Sequence, residues 1–289
     1  MNIENKHLSL TCIPHLGAKV SSIYCKKSNT ELLWQSANSE QLETFNQFDS
    51  SGHYECFPNI DEETLNWKGK NYSMPDHGEL WNQAWECAQH SNAITGKAKG
   101  RIWNYDFYRE ITLNENCIRF NYRITNNESF ELPALWAFHP LFAVDEHSVI
   151  ALEGCHKVEL AHPDAILGQM ETVVNFPITK EGVNLSAIRP ISSKTSRKYY
   201  AYLKHSSGKA SISLNNNRTA VALSFDPELC PYMGVWINEG GKNNAYNAAL
   251  EPGTGYYDKV SIALGKQQLK FIAPGETLEF WVEMRVEEM

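Results

Sequence analysis

An all-β chain, folded as one large antiparallel β-sandwich, is what these 289 residues predict, on three observations. Apolar and polar residues alternate with period two from one end to the other, the pattern of strands with one packed and one wet face. Helical signals are sparse. No repeat, low-complexity tract or Gly/Ser linker divides the sequence, so residues 1–289 read as a single domain. Many strands without crossover helices pair antiparallel and bury their apolar faces sheet on sheet.

In chain order, Leu8, Leu10 and Cys12 alternate with Ser9 and Thr11 and predict an early strand. Ser39 to Phe48 predicts a short helix, with Leu42 and Phe45 on one side. The stretch from Tyr72 to Trp81 reads as a loop. Pro75-Asp76 begins a turn there, and Gly78 permits a backbone geometry that other residues resist. Phe107 to Leu113, the polar turn Asn114-Glu115-Asn116, and Ile118, Phe120, Tyr122 and Ile124 alternating with Arg119, Asn121 and Arg123 predict a hairpin. Leu135 to Phe142 is an apolar strand in which Pro140 limits ladder pairing and implies an edge or a bend. Residues 162–198 are the least regular part and predict long loops. Thr219 to Phe225 alternates again. Asn247 to Glu251 predicts a strand that the turn residues Pro252-Gly253-Thr254-Gly255 end at once. Leu278 to Val286 closes the chain as a long strand after the turn Ala273-Pro274-Gly275-Glu276.

Composition excludes several function classes. A formal net charge of -8 argues against nucleic acid or an anionic membrane as partner. No apolar run approaches a spanning helix, and Met1 to Lys6 is too polar for a signal peptide. Seven scattered cysteines show no paired spacing, which predicts a reduced, soluble, cytoplasmic protein. Eight Trp, thirteen Tyr and twelve Phe suit β packing, and flat rings also suit a cleft for the apolar faces of a sugar. Unpaired sheet edges leave a homodimer open.

Three residues stand out chemically. On a strand, Leu250 and Glu251 point to opposite faces, so a packed Leu250 turns Glu251 out of the other layer. A carboxylate held at a strand end is a stiff, partly desolvated base; the plain alternative is an exposed Glu before a turn. His139 sits in an otherwise apolar strand, where a buried imidazole needs a partner or a task; a satisfied core histidine is the plain alternative. His77, in its loop, is either held into a cleft or bonded to neighbouring backbone at the surface. The spacing supports no zinc motif, no nucleophile elbow and no phosphate-cradling glycine loop.

Together these residues carry a resemblance. His77-Gly78 after a Gly-Lys-x-Tyr-x-Met-Pro approach, Phe138-His139-Pro140-Leu141-Phe142, and Ala249-Leu250-Glu251-Pro252 stand in the order and rough spacing of the aldose 1-epimerase (galactose mutarotase-like) superfamily. Cys56-Phe57-Pro58 also resembles that family's Phe-Pro segment shortly before the first His. The resemblance covers nearly the whole chain and implies the galactose mutarotase-like supersandwich, with a sugar cleft on the concave sheet. It implies an isomerase that interconverts the α and β anomers of a sugar by opening the ring. By resemblance Glu251 is the base at the C1 hydroxyl. His139 is the acid at the ring oxygen, carrying a proton that a nearby carboxylate would favour. His77 hydrogen-bonds the sugar beside them and shares the acid role. No cofactor or metal is implied.

Departures from the family pattern shape the expected substrate. Where the hexose-6-phosphate branch carries an Arg four residues after the first His, this chain has Trp81, and Ser50-Ser51-Gly52 replaces its Arg-Gly-Gly. Loss of both guanidiniums favours an unphosphorylated sugar. Trp81 and Trp236 are the rings expected against its faces. The family's sugar-binding Asp aligns with Ser186, with Asp226 as the alternative, and its Asn-Arg pair is reduced to Asn59 followed by Ile60. Two other functions stay open: a non-catalytic carbohydrate-binding protein, and a hexose-phosphate mutarotase using Lys242 or Arg109 instead.

Overall fold

The period-two alternation is realised as strands almost throughout. The computed structural model describes residues 1–36, 51–201 and 207–288. The helix predicted over Ser39 to Phe48, and Ser50, lie outside the described residues.

Two antiparallel sheets dominate. The larger runs, in spatial order, Asn2–Glu4, Leu8–Ile13, Lys19–Cys25, His53–Cys56, Ala137–Pro140, Tyr246–Gly253, Tyr232–Glu239, Thr195–Ala201, Lys157–Leu160 and Val173–Asn175, with two short strands paired off this path. The other runs Ile150–Leu152, Lys209–Leu214, Thr219–Phe225, Thr277–Glu288, Cys117–Asn126, Tyr105–Asn114, Ala93–Lys99 and Glu86–Gln89. Among the described residues the helices are Val260–Gly265 and a single 3-10 turn at Ile191–Ser193.

The predicted hairpin is present and tighter than its polar residues suggest. Asn114 pairs with Cys117, so the turn is Glu115-Asn116 alone, with Glu115 at φ 51°. Two-residue turns with positive φ match the twist of the strands they join. Residues 162–198 are mostly loop, as expected, yet the regular strand Thr195–Ala201 begins within them. The strand carrying His139 is not an edge. It lies between His53–Cys56 and Tyr246–Gly253, and the chain bends after Pro140, to be taken up again by Phe142–Ala143 on the same neighbour. Proline is accommodated by that break in the ladder.

The core lies between the two sheets. Phe138 of the large sheet meets Phe120 of the other at 5.1 Å between ring centroids, and Trp136 meets Phe280 at 4.6 Å. One charged cluster is sealed into it. Glu55 accepts hydrogen bonds from Arg109 (2.9 Å), Tyr122 (3.1 Å) and Trp136 (2.8 Å), and touches His53 at 3.1 Å. Burial raises the Glu55 carboxyl, but His53 and Arg109 outweigh it and hold it below its ordinary value. Arg109 is therefore bound to the interior and does not serve as a phosphate grip. Because neighbouring strand residues face opposite ways, this ionic floor fixes Glu55 on one side of its strand and leaves Tyr54 and Cys56 on the other.

Candidate active site

Five adjacent strands of the large sheet, from His53–Cys56 to Thr195–Ala201, present one face to a cleft of about 110 Å³. Antiparallel register places the residues. Tyr54 lies opposite His139, Glu251 opposite Gly234, Trp236 opposite Ala249, and Lys198 opposite Trp236. Ala137 pairs with Gly253, and two residues further along each strand His139 comes abreast of Glu251, with Nε2 and Oε1 3.5 Å apart. Leu250 is in the core and Glu251 on the cleft side, both buried. Gly234 makes room here. A Cβ at this position would lie 3.2 Å from Glu251 Oε2 and 3.1 Å from the Tyr200 ring.

His77 arrives from a loop. Its backbone is left-handed, at φ 58°, as is that of Gly78, where a Cβ would sit 2.1 Å from the Phe57 carbonyl oxygen. Only glycine permits that approach. Asn59, fully buried, donates to the carbonyls of Asp61 and Pro75, each at 2.7 Å, and so braces the loop from beneath. The His77 ring lies edge-on to His139 with centroids 5.2 Å apart, and Tyr54 stacks on His139 at 5.1 Å and meets His77 at 6.0 Å. Asp76 Oδ1 is 3.0 Å from His77 Nδ1. Burial raises the Asp76 carboxyl, but the His77 bond, with Lys242 and Lys198 beyond, brings it below the ordinary carboxylate value.

Lys198 is the residue that sequence reasoning missed. Its ammonium is 2.9 Å from Glu251 Oε2 and 2.7 Å from Asp258 Oδ1, and only 6% of its side chain is exposed. Tyr200 also donates to Asp258, at 2.6 Å. Burial opposes the lysine charge, yet Asp258 and Glu251 together hold its pKa far above the ordinary value. Glu251 is raised by burial, with Lys198 pulling against that. His139 is held well below its ordinary value by burial, then by His77 and Lys198. Against the expectation of a resting His139 charged by its carboxylate neighbour, burial, His77 and Lys198 all favour the neutral imidazole, and the lysine answers the Glu251 charge. Burial also keeps the Cys56 thiol, behind the two imidazoles, well above its ordinary value, and the Glu251 charge adds to this.

The family model for aldose 1-epimerase matches residues 1–285. The chain belongs to that family. Solved structures share its fold over the full length. The Slr1438 protein of Synechocystis sp. PCC 6803 superposes with a TM-score of 0.77 at 18% identity, covering 100% of this chain and 96% of that one. A galactose mutarotase related enzyme from Lactobacillus acidophilus gives 0.72 at 18%, with 100% and 97% covered. A galactose mutarotase-like protein from Clostridium acetobutylicum gives 0.69 at 16%, with 98% and 93% covered. No curated protein matches the sequence significantly. The fold is therefore the galactose mutarotase-like β-sandwich, as the motifs implied.

Within this aldose 1-epimerase family member, the fold brings Glu251, His139 and His77 together although 62 and 112 residues separate them (139 − 77 and 251 − 139). Trp236 lines the cleft, edge-on to His162 at 5.8 Å. Other expected sugar contacts lie elsewhere. Trp81 is 2% exposed and packed into the core, its indole bonded to the Asp76 carbonyl. Asp226 caps its own turn, accepting from the backbone of Glu228 and Leu229. Ser186 bonds Asn184 in a loop off the cleft. Asn59 supports the His77 loop from below the cleft lining. Asp61, Lys198, Asn247 and Asp258 line the cleft instead. A lysine between Arg197 and two tyrosines in a strand is the one sequence signal that could have pointed there. No described helix is long and apolar enough to cross a membrane.

Proposed function

We propose that this protein interconverts the α and β anomers of a free, unphosphorylated aldose by general acid–base ring opening. The observation that carries the reading is the convergence of a buried carboxylate and two imidazoles on one side of a cleft with a half-buried tryptophan. Glu251 takes the proton of the C1 hydroxyl, and the His77–His139 pair supplies one to the ring oxygen. The C1–O5 bond breaks, leaving an aldehyde at C1 and a hydroxyl at C5. Rotation about C1–C2 exposes the other face of the aldehyde to that hydroxyl. On reclosure its proton returns to the histidine side, while Glu251 gives its proton back to O1. His77, anchored by Asp76, carries the proton that moves to the ring oxygen, and neutral His139 donates a hydrogen bond there.

Freshly dissolved α-glucose or α-galactose, followed by polarimetry, tests this directly. Acceleration over buffer for at least one common aldose is expected. Saturable sugar binding seen by NMR with no anomer exchange would instead make the protein a carbohydrate-binding member of the family. Lys242 also lines the cleft; much tighter binding of a hexose 6-phosphate than of its parent hexose would select the hexose-phosphate reading.

Trp236 supplies the apolar wall of the cleft. Trp236→Ala is expected to raise KM about 5–50-fold, with kcat within about threefold, because a ring lying along a sugar face binds ground and transition states alike. Saturation kinetics with the preferred aldose checks this. An unchanged KM would remove Trp236 from the sugar site.

A further inference from the structure

The same strands assemble a ligand set that no spacing in the chain announces. Cys56 Sγ and one ring nitrogen from each of His77 and His139 all lie within 4.8 Å of one another. Cys56 shares the cleft face of its strand with Tyr54, which lies opposite His139, so the thiol and that imidazole are diagonal neighbours across the ladder. His77 closes the third side. Asp76 Oδ1 lies 3.0 Å from its Nδ1, and a carboxylate behind a ligating histidine is the usual support of a metal-bound imidazole. His139 is 5% exposed and its Nδ1 has no hydrogen-bond partner, an orphaned buried nitrogen on one of the three clustered side chains.

We propose that Cys56, His77 and His139 form a binding site for a thiophilic divalent cation, Zn²⁺ above others. One thiolate and two neutral imidazoles are a borderline-soft donor set, suited to a tetrahedral ion at about 2.3 Å from sulfur and about 2.0–2.1 Å from nitrogen. Such a tetrahedron has edges of roughly 3.3–3.6 Å; small side-chain rotations bring the three atoms from their present separation to that. Binding replaces the sulfur-bound proton by the metal and releases it to solvent. A water completes the tetrahedron. An ion here ties up both imidazoles, so metal occupancy and ring opening exclude each other. That consequence rests on the epimerase reading; the binding itself does not.

Titration of the whole protein with Co²⁺ alone, followed by absorption, separates the two. A thiolate-to-cobalt charge-transfer band with intense visible bands of tetrahedral cobalt is expected, bleached by Zn²⁺. Cys56→Ser should abolish the charge-transfer band and weaken Zn²⁺ binding at least about tenfold. His77→Ala should do the same should the buried serine variant fail to fold. Absence of the band, or an equal band in both variants, overturns the site. In the activity arm, Zn²⁺ should stop mutarotation over the concentration range in which it displaces Co²⁺, and a chelator should restore it. Cys56→Ser should turn over normally and resist Zn²⁺; equal inhibition of that variant overturns the proposed exclusion. Failure of the epimerase reading would show separately, as no acceleration by metal-free protein, with the absorption result unaffected.

Discussion

Replacing Glu251 by Gln is expected to lower the rate of anomer exchange by about 10²–10⁴-fold while the protein stays folded and still binds sugar. Glutamine keeps the shape of the side chain and removes its capacity to accept a proton. The fold tolerates the change because Lys198 keeps its second carboxylate, Asp258, at 2.7 Å. A charge is therefore lost without orphaning the cation. Polarimetry gives the rate, thermal unfolding the integrity, and NMR titration the sugar affinity. A variant that exchanges anomers at the parent rate would end the assignment of Glu251 as the base.

Lys198→Met is expected to damage both stability and turnover. Glu251 and Asp258 are buried, at 2% and 5% exposure, and share this one ammonium. Its removal leaves two buried like charges facing each other, with the Tyr200 hydroxyl on Asp258 a partner that stays. Breaking a buried pair from one side typically costs about 3–5 kcal/mol, because a bare charge is left behind. Part of that cost is relieved when a carboxyl takes a proton, and a protonated Glu251 no longer serves as a base. Stability and activity should therefore fall together. Adding Glu251→Gln to Lys198→Met should recover stability, since one of the stranded charges disappears; a purely steric role for the lysine predicts no such recovery. Chemical denaturation of the two single variants and the double variant measures the coupling. Additive losses, or a folded Lys198→Met protein with parental activity, would refute it.

The fold was legible because alternation is a local property. The Phe107–Ile124 hairpin, the strand at Thr219 and the closing strand at Leu278 each carry their apolar face in the sequence, and each appears within a few residues of its expected bounds. Candidate site residues were legible where the chemistry was locally incongruous: His139 in an apolar run, His77 beside a glycine, and Glu251 before Pro252-Gly253, which continue its strand instead of ending it at once. Trp81 misled. Its position invites a sugar face, but its ring fills the core behind the His77 loop, and composition does not tell an aromatic wall from an aromatic core. Pro140 was read as an edge or a bend. Only the bend is present, because an interrupted ladder lets proline sit inside a sheet.

Period, turn chemistry and three motifs in order were enough to determine an antiparallel sandwich and the family to which it belongs, since each depends on residues close along the chain. Partnership was decided elsewhere. That Glu251 meets both a histidine and a lysine, and that Cys56 joins two histidines from distant segments, are set by strand register across the large sheet and by the loop that carries His77. Register is a sum over many packed side chains, so a single stretch of sequence does not contain it.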